Sequence, residues 1–364
     1  MTEVSIAADV ALRFGKRLVD WYLLAARDLP WRHRSDAYSI WVSEILLQQT
    51  TVNTVLERYE PFLRKFPNLG ALAASQLEDV IAAVQGLGYY RRFRFMHRAA
   101  VQLVQSGRTD LPGTREELQA LPGLGPYTAG AIASIAFGLK EPAVDGNVVR
   151  VVTRHFGLTG LCDDARTRRK LASSIPPMMP DDRASEFTQS LFDVGATLCK
   201  PTKPLCESCP VSATCTALAS DSIEAIPAPQ QRRKSLAHVV AVALVSKGDR
   251  VLLRQRPKTE SRMPSFWELP ECWAADESAA RADLKACLEE ALGTVDLSNQ
   301  TLARIRHTIT TNLLDCRLIE AAATQTDQRP APQAMKWMTP AAIQGRTLPI
   351  TTITRKLVST WQRS

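Results

Sequence analysis

The chain has 364 residues, 45% of them hydrophobic, enough for about two to three domains with sizeable cores. Its formal charge of +8 suits a polyanionic partner. No apolar run approaches the ~20 residues of a bilayer span and no signal-like segment opens the chain, which argues against a membrane partner and leads us to expect a cytoplasmic, nucleoid-associated protein. Of the eight cysteines, four crowd between 199 and 215, a pattern of metal ligation in a reducing compartment rather than of a disulfide framework.

In chain order, Val10, Phe14, Leu18, Trp21, Tyr22 and Ala25 recur at three- and four-residue steps and predict an amphipathic helix over 9–26. Leu29-Pro30-Trp31-Arg32 stops it. A second helix is predicted over 38–48, with Ile40, Trp41 and Ile45 as its apolar side and Glu44 within or beside that side. Burial raises a carboxyl pKa unless a cation offsets it, so Glu44 reads either as a proton-carrying group or as the partner of an arginine such as Arg32. Helices over 52–66 and 77–84 follow. After the turn Gln85-Gly86-Leu87-Gly88 comes Tyr89-Tyr90-Arg91-Arg92-Phe93-Arg94-Phe95-Met96-His97-Arg98, whose arginines and aromatics suit either nucleic acid or a snorkelling basic helix face.

Leu121-Pro122-Gly123-Leu124-Gly125-Pro126-Tyr127-Thr128 leads into a small-residue helix over 128–137. Gly123 and Gly125 are expected at positive φ, and the amides at such a turn and helix start can hold a phosphate. The stretch reads as a helix-hairpin-helix DNA clamp, or as an ordinary glycine turn between helices. Asp145 follows within Val144-Asp145-Gly146-Asn147, where Gly146 is expected to let the backbone turn Asp145 toward the hairpin. Asp145 is equally suited to cap the helix predicted over 148–155. Cys199, Cys206, Cys209 and Cys215 contain a single Cys-x-x-Cys pair, which fits a [4Fe–4S] cubane with one thiolate per iron better than a zinc ribbon with two such knuckles. Residues 221–234 read as a linker. Beyond it, strand-like runs over 238–245 and 250–254 suggest a hairpin, followed by a helix over 277–292 and strands over 301–310 and 313–319, an α+β domain.

Taken together, Leu29-Pro30-Trp31-Arg32, Trp41-Val42-Ser43-Glu44, Leu47-Gln48-Gln49-Thr50, Gly86-Leu87-Gly88-Tyr89-Tyr90, the glycine hairpin, Val144-Asp145-Gly146-Asn147 and the four cysteines resemble the adenine DNA glycosylases of the MutY type, densely over about residues 9–220. The resemblance implies an all-α helix-hairpin-helix glycosylase domain at 1–220 with a [4Fe–4S] loop at 199–215, the linker, and a MutT-like (Nudix-fold) α+β domain at 235–364. It implies a monomer acting on double-stranded DNA, removing adenine opposite 8-oxoguanine or guanine after flipping it from the duplex. Glu44 would be the general acid, Asp145 the group facing the oxocarbenium ion, and Tyr127 and Asn147 would orient them. Gln49 and Tyr89 match positions that wedge into the base stack, Arg32 and Gln189 positions lining the adenine pocket, and Gly123 and Gly125 the DNA clamp.

Two neighbouring readings follow from the same motifs. Bifunctional pyrimidine-lesion glycosylases carry a Schiff-base lysine where this hairpin has Tyr127, and a phenol forms no imine. A non-catalytic DNA-binding scaffold has no use for a carboxylate in an apolar stripe. In the C-terminal domain Glu289-Glu290 and Gly293 are only a remnant of a Nudix box, so pyrophosphatase activity is not expected. The family's Gly-Gly pair is Pro264-Ser265 here, and its Phe-Ser-His loop is Ile309-Thr310-Thr311. Thr310 retains the hydroxyl, and His307, on the same strand face as Ile309, is the nearest imidazole.

Overall fold

The computed structural model describes residues 6–159, 163–228, 235–260, 262–323, 334–345 and 348–363. The first part is helical: α1 (Ala8–Ala25), α2 (Ala37–Leu47), α3 (Val52–Lys65), α4 (Leu69–Ala74), α5 (Leu77–Ala83), α6 (Arg91–Gln105), α7 (Arg115–Gln119), α8 (Pro126–Phe137), α9 (Gly146–His155), α10 (Ala165–Ser174), α11 (Ala184–Asp193) and α12 (Thr216–Ala219). A π-helical turn, Val194–Leu198, continues α11. The rest is mixed: β1 (Leu236–Leu244), β2 (Ser246–Lys247), β3 (Arg250–Gln255), β4 (Trp267–Glu268), β5 (Glu271–Ala274), α13 (Glu277–Leu292), β6 (Val295–Ile309), β7 (Asn312–Ala323), β8 (Met335–Met338), α14 (Pro340–Gln344) and α15 (Thr352–Trp361). Among the described residues no helix is long and apolar enough to cross a membrane. Contacts divide the chain into one unit of Met1–Ser75 with Arg92–Gln231 and a second of Gln76–Arg91 with Arg232–Ser364. The second unit is thus discontinuous in sequence, unlike the division expected at the linker, whose residues 229–234 lie outside the described ones.

Helix α2 is the interior element of the first unit. It is not the one-sided helix that its pattern suggested: every residue from Ala37 to Leu46 is buried. Asp36 starts it, its Oδ1 accepting from the Ser39 amide at 2.8 Å. Its far end is held by a side chain from α6. The Arg92 guanidinium donates to the carbonyls of Leu46 (3.1 Å) and Gln48 and to Thr50 Oγ1 (2.7 Å), satisfying acceptors that a helix C-terminus leaves open.

That pairing corrects part of the basic, aromatic patch. Arg92 and Phe93 are buried, and Phe95 packs beneath Gly123, where a Cβ would lie 2.6 Å from Phe95 Cβ. Gly123 has φ +81°, as expected, but Gly125 has φ −77° and caps α8, so only the first hairpin glycine uses the left-handed region. The small residues of α8 have a steric reason: a Cβ on Gly130 would lie 2.0 Å from the Pro142 carbonyl oxygen.

In the second unit, one sheet has the order β5-β1-β7-β6, with β1 and β7 parallel. The other joins β2, β3 and β4, with β8 also paired to β3. The hairpin around Gly248 (φ +60°) is therefore β2–β3, while β1 belongs to the first sheet. One core, including Val240, Leu253, Cys316 and Leu357, and another, including Ala241, Leu252, Leu284 and Leu288, fill the unit.

Gly130→Ala places a methyl where backbone already stands, which α8 can relieve only by moving away. We expect a loss of about 1–3 kcal/mol or more, read as a lower urea midpoint with an unchanged slope; a variant as stable as the parent would show the contact to be looser than described.

Candidate active site

Glu44 sits in mid-α2, 6% exposed. Burial pushes its carboxyl up from 4.5 to about 7; Tyr127's hydroxyl, hydrogen-bonded to it, and the more distant Arg32 pull the other way, while Asp145 adds to the rise. Tyr127 is placed at the start of α8 by the hairpin, and burial and the two carboxylates hold its phenol in the neutral, donating form. Next to it on α8, Thr128 Oγ1 accepts from Gln48 Nε2 at 3.1 Å, tying the helix start to the end of α2.

Asp145 is the N-cap of α9: its Oδ1 accepts from the Val148 amide at 2.8 Å, and its Oδ2 from Asn147 Nδ2 at 2.9 Å. Burial raises its pKa, and these hydrogen bonds oppose the rise. The capping role and the placement in the cavity hold together. Gly146 is helical, so its freedom does not turn the chain as expected. A Cβ there would lie 2.6 Å from Asp163 Oδ2, so a larger residue would push that carboxylate aside. Asn147 is positioned in turn by Arg150, which donates to Asn147 Oδ1 (2.8 Å), the Gly195 carbonyl (2.8 Å) and the Cys199 carbonyl (2.6 Å). Gly195 in the π-turn has no room for a side chain, because a Cβ would stand 2.5 Å from Asn147 Cβ. Neither Arg150 nor Gly195 was singled out from sequence, although Arg150 lies at i+3 from Asn147, within reach on one helix face.

Arg32 does not form the ion pair with Glu44 that the sequence left open. Its two terminal nitrogens bind Asp193 at the end of α11, at 2.5 Å each, and Arg27 Nε joins them on Asp193 at 2.7 Å. Asp193 is fully buried, and it too was missed. Arg27, Arg32, Glu44, Tyr127, Asp145, Asn147 and Gln189 all line one cavity of about 220 Å³, walled on its apolar side by Leu29, Trp31, Ile40 and Phe192. Gln189 donates from Nε2 to Ser185 Oγ at 3.1 Å.

Outside this cavity, Gln49 is exposed just after α2 with φ +54°. Tyr89 lies in the second unit, 53% exposed with φ +47°, whereas Tyr90 is buried against Phe266 with ring centroids 4.5 Å apart. Thr310, exposed with φ +55°, and the half-buried Thr311 form the turn between β6 and β7. His307 shares the half-buried face of β6 with Ile305 and Ile309, and burial together with nearby Lys356 lowers its pKa. That imidazole therefore faces the domain interior and not the turn's outer surface.

Cys199, Cys206, Cys209 and Cys215 are free thiols lining a second cavity with Val151, Val194, Leu198 and Val211. Arg154 threads their loop: it donates to the carbonyls of Ile226 (2.7 Å), Lys200 (2.7 Å) and Pro201 (3.1 Å) and lies 3.6 Å from Cys199 Sγ. Among the described residues, no three His, Cys, Asp or Glu side chains are grouped so as to hold a metal ion.

Residues 42–177 match the HhH-GPD superfamily of base excision DNA repair proteins, and 240–360 match the NUDIX domain. The adenine DNA glycosylase of Homo sapiens is 32% identical over 90% of this chain and 70% of its own length. The chain belongs to the adenine DNA glycosylase family. The family's Arabidopsis thaliana enzyme is 34% identical over 75% of this chain, which spans only half of that relative's length. A solved thermostable thymine-DNA glycosylase superposes over 59% of this chain and all of its own, with 27% identity and a TM-score of 0.53. Within the family's helix-hairpin-helix part, the described site brings Glu44, Tyr127, Asp145 and Asn147 to one cavity.

Burying Glu44 costs stability when it ionises. Its folded pKa of about 7 exceeds the ordinary 4.5, so the folded state binds more protons than the unfolded one between those values, and stability falls as pH rises through them. At ~1.4 kcal/mol per pH unit this amounts to about 3 kcal/mol. Glu44→Gln, which cannot ionise, should therefore gain up to about that much over the parent at pH 8 and nothing below pH 4, measured by urea unfolding at both pH values; an equal difference at both would refute the linkage.

Proposed function

We propose that this chain is a monofunctional adenine DNA glycosylase that hydrolyses the N-glycosidic bond of adenine mispaired with 8-oxoguanine or guanine, acting as a monomer in the cytoplasm. The observation that carries the reading is the pairing of two buried carboxyls in one cavity with different partners: Glu44 faces the Tyr127 phenol, while Asp145 accepts from the Val148 amide and from Asn147.

Adenine leaves as a poor anion unless its ring is protonated, so the site needs an acid that still carries a proton near neutral pH. A carboxyl with a pKa of about 7 does so. As the C1′–N9 bond breaks, positive charge develops on the sugar, and Asp145, its oxygens already oriented, meets that charge without reorganising. Glu44, left as a carboxylate, then takes a proton from the water that adds at C1′. Tyr127, whose hydroxyl favours the carboxylate that Glu44 becomes, has no amine and so gives no covalent route to strand cleavage. The human and Arabidopsis relatives, named as adenine DNA glycosylases, support the base.

Among the described residues, the four cysteines are not gathered on a single metal ion but stand around one cavity, as the thiolates of a [4Fe–4S] cluster with one thiolate per iron would. Four thiols without nitrogen or oxygen donors line an apolar cavity beside the Arg154 cation, a setting suited to an anionic iron–thiolate group. When bound, the cluster supplies a structural tie that fixes the loop 199–215. The protein's own part is the Arg150 and Arg154 guanidinium groups, which hold that loop's carbonyls and, through Asn147, the capping carboxylate Asp145.

Glu44→Gln should reduce single-turnover excision of A opposite 8-oxoguanine by ~10²–10⁴-fold or more with duplex binding retained. Asp145→Asn keeps a competent N-cap, so a comparable loss there with an unchanged melting temperature separates charge from folding. Normal turnover by either variant would defeat its assigned role. Products of the parent should break into shorter strands only after alkali; efficient borohydride trapping without it would favour the bifunctional reading. Protein purified anaerobically should carry about four irons per chain, and one zinc with full activity would remove the cluster.

A further inference from the structure

We propose that Asp193 is a positioning residue of the excision pocket: it binds Arg27 and Arg32 together, fixes both guanidinium groups on the cavity wall and keeps the Arg32 charge from pairing with Glu44. The inference rests on the reading of Glu44 as proton donor.

Every acceptor of this carboxylate is committed. Oδ1 takes Arg27 Nε at 2.7 Å and Arg32 Nη2 at 2.5 Å; Oδ2 takes Arg32 Nη1 at 2.5 Å and the Arg27 amide at 3.2 Å. The Arg32 guanidinium also reaches the Arg27 carbonyl at 3.3 Å and lies over the Tyr22 ring, 5.2 Å from its centroid. These contacts leave it one orientation. Asp193 is wholly buried, Arg32 is 9% exposed at its side chain and Arg27 28%, so solvent does little to screen the group. Taking a carboxylate out of water is costly, and an apolar contact would join α11 to the segment after α1 without that cost. What an apolar contact cannot do is supply negative charge to two cations that line the same cavity as the proton donor.

The charges around each group show what that negative charge accomplishes. Glu44 is faced by Tyr127 from α8, by Asp145 before α9 and by Arg32 after α1. Asp193 is faced by Arg27, Arg32 and Tyr22, and Glu186 also acts on Tyr22. Arg32 is therefore the cation among Glu44's neighbours, and it favours the ionised carboxylate. With Asp193 binding it on both nitrogens, most of its field is cancelled where it originates, and Glu44 can keep its proton. Without Asp193, Arg32 would be a strong counter-ion for Glu44, and a proton donor would become a salt-bridge partner.

The test is the pH profile of single-turnover excision from about pH 5 to 9, on a duplex with A opposite 8-oxoguanine, with the active fraction of each preparation titrated. Asp193→Asn preserves shape but not charge. Its alkaline limb, where the donor loses its proton, should move acidward by about one pH unit, an about tenfold loss at pH 8 that largely disappears at pH 6. The double variant Asp193→Asn/Arg32→Gln should return the limb to the parent position at a lower overall rate. A loss by the same factor at every pH, with the limb unmoved, would mean that Asp193 is merely structural and would overturn the inference while leaving the excision reading intact. A parent chain inert at every pH would instead overturn that reading, and the inference with it. Should Asp193→Asn fail to fold, Arg27→Gln decides: it leaves the Asp193 carboxylate with one cation fewer, so an alkaline shift of the limb supports the inference and an unmoved limb overturns it.

Discussion

A carboxyl group in the middle of a helix buried on all sides is the constraint around which the first unit is arranged. Bulk water would stabilise its charge, so the fold leaves the residue only 6% exposed; a counter-ion would stabilise it too, so the cations nearby must be occupied. The first requirement is met by the apolar length of α2 and by Arg92, which closes the helix end with its guanidinium where solvent would otherwise reach the open carbonyls. The second is met across the cavity, where Arg27 and Arg32 are bound to Asp193. What remains next to Glu44 is another carboxylate, which favours the proton, and a phenol, whose hydrogen bond favours the carboxylate but is outweighed by burial.

Much of this was legible in the sequence because it is local. Periodicity located α1 and α3 closely, and α13 residue for residue, and the hairpin, the Asp145 cap and the four cysteines are short motifs whose spacing carries their chemistry. The errors have a common physical origin in tertiary contact. Nothing in the run Arg91-Arg92-Phe93-Arg94 distinguishes the arginine that is swallowed by a helix end from those that are not. Gly125 and Gly146 are expected to use backbone freedom, but one is an ordinary cap and the other an ordinary helical residue beside the Asp163 carboxylate. Asp193 sits in a helix with no motif of its own, and its meaning comes entirely from residues more than 160 positions away.

The C-terminal unit was read less well. Alternation identified β-rich texture but joined β1 to β3 as one hairpin, because the break at Val245 that sends the chain from one sheet to the other leaves no mark in the pattern. The helix α15, with three threonines among its ten residues, carries a weak helical signature and is fixed by burying Ile353, Leu357 and Val358. His307 illustrates the same limit: the alternation rule placed it correctly on the face of Ile309, but not which side of the sheet was interior.

The second unit recruits Gln76–Arg91 from far upstream, with Gln85 Nε2 on the Leu348 carbonyl at 2.6 Å and Tyr90 stacked on Phe266. Shortening this protein at its linker is therefore not the subtraction of a module. It would leave Tyr90 without its ring partner and pass the Gln85 amide from the Leu348 carbonyl to water, exposing apolar surface on the fragment that carries the chemistry. A shortened form gains from a more polar side chain at 90, where the aromatic ring loses its cover, and a lineage that shed the C-terminal part would be expected to show such a residue there.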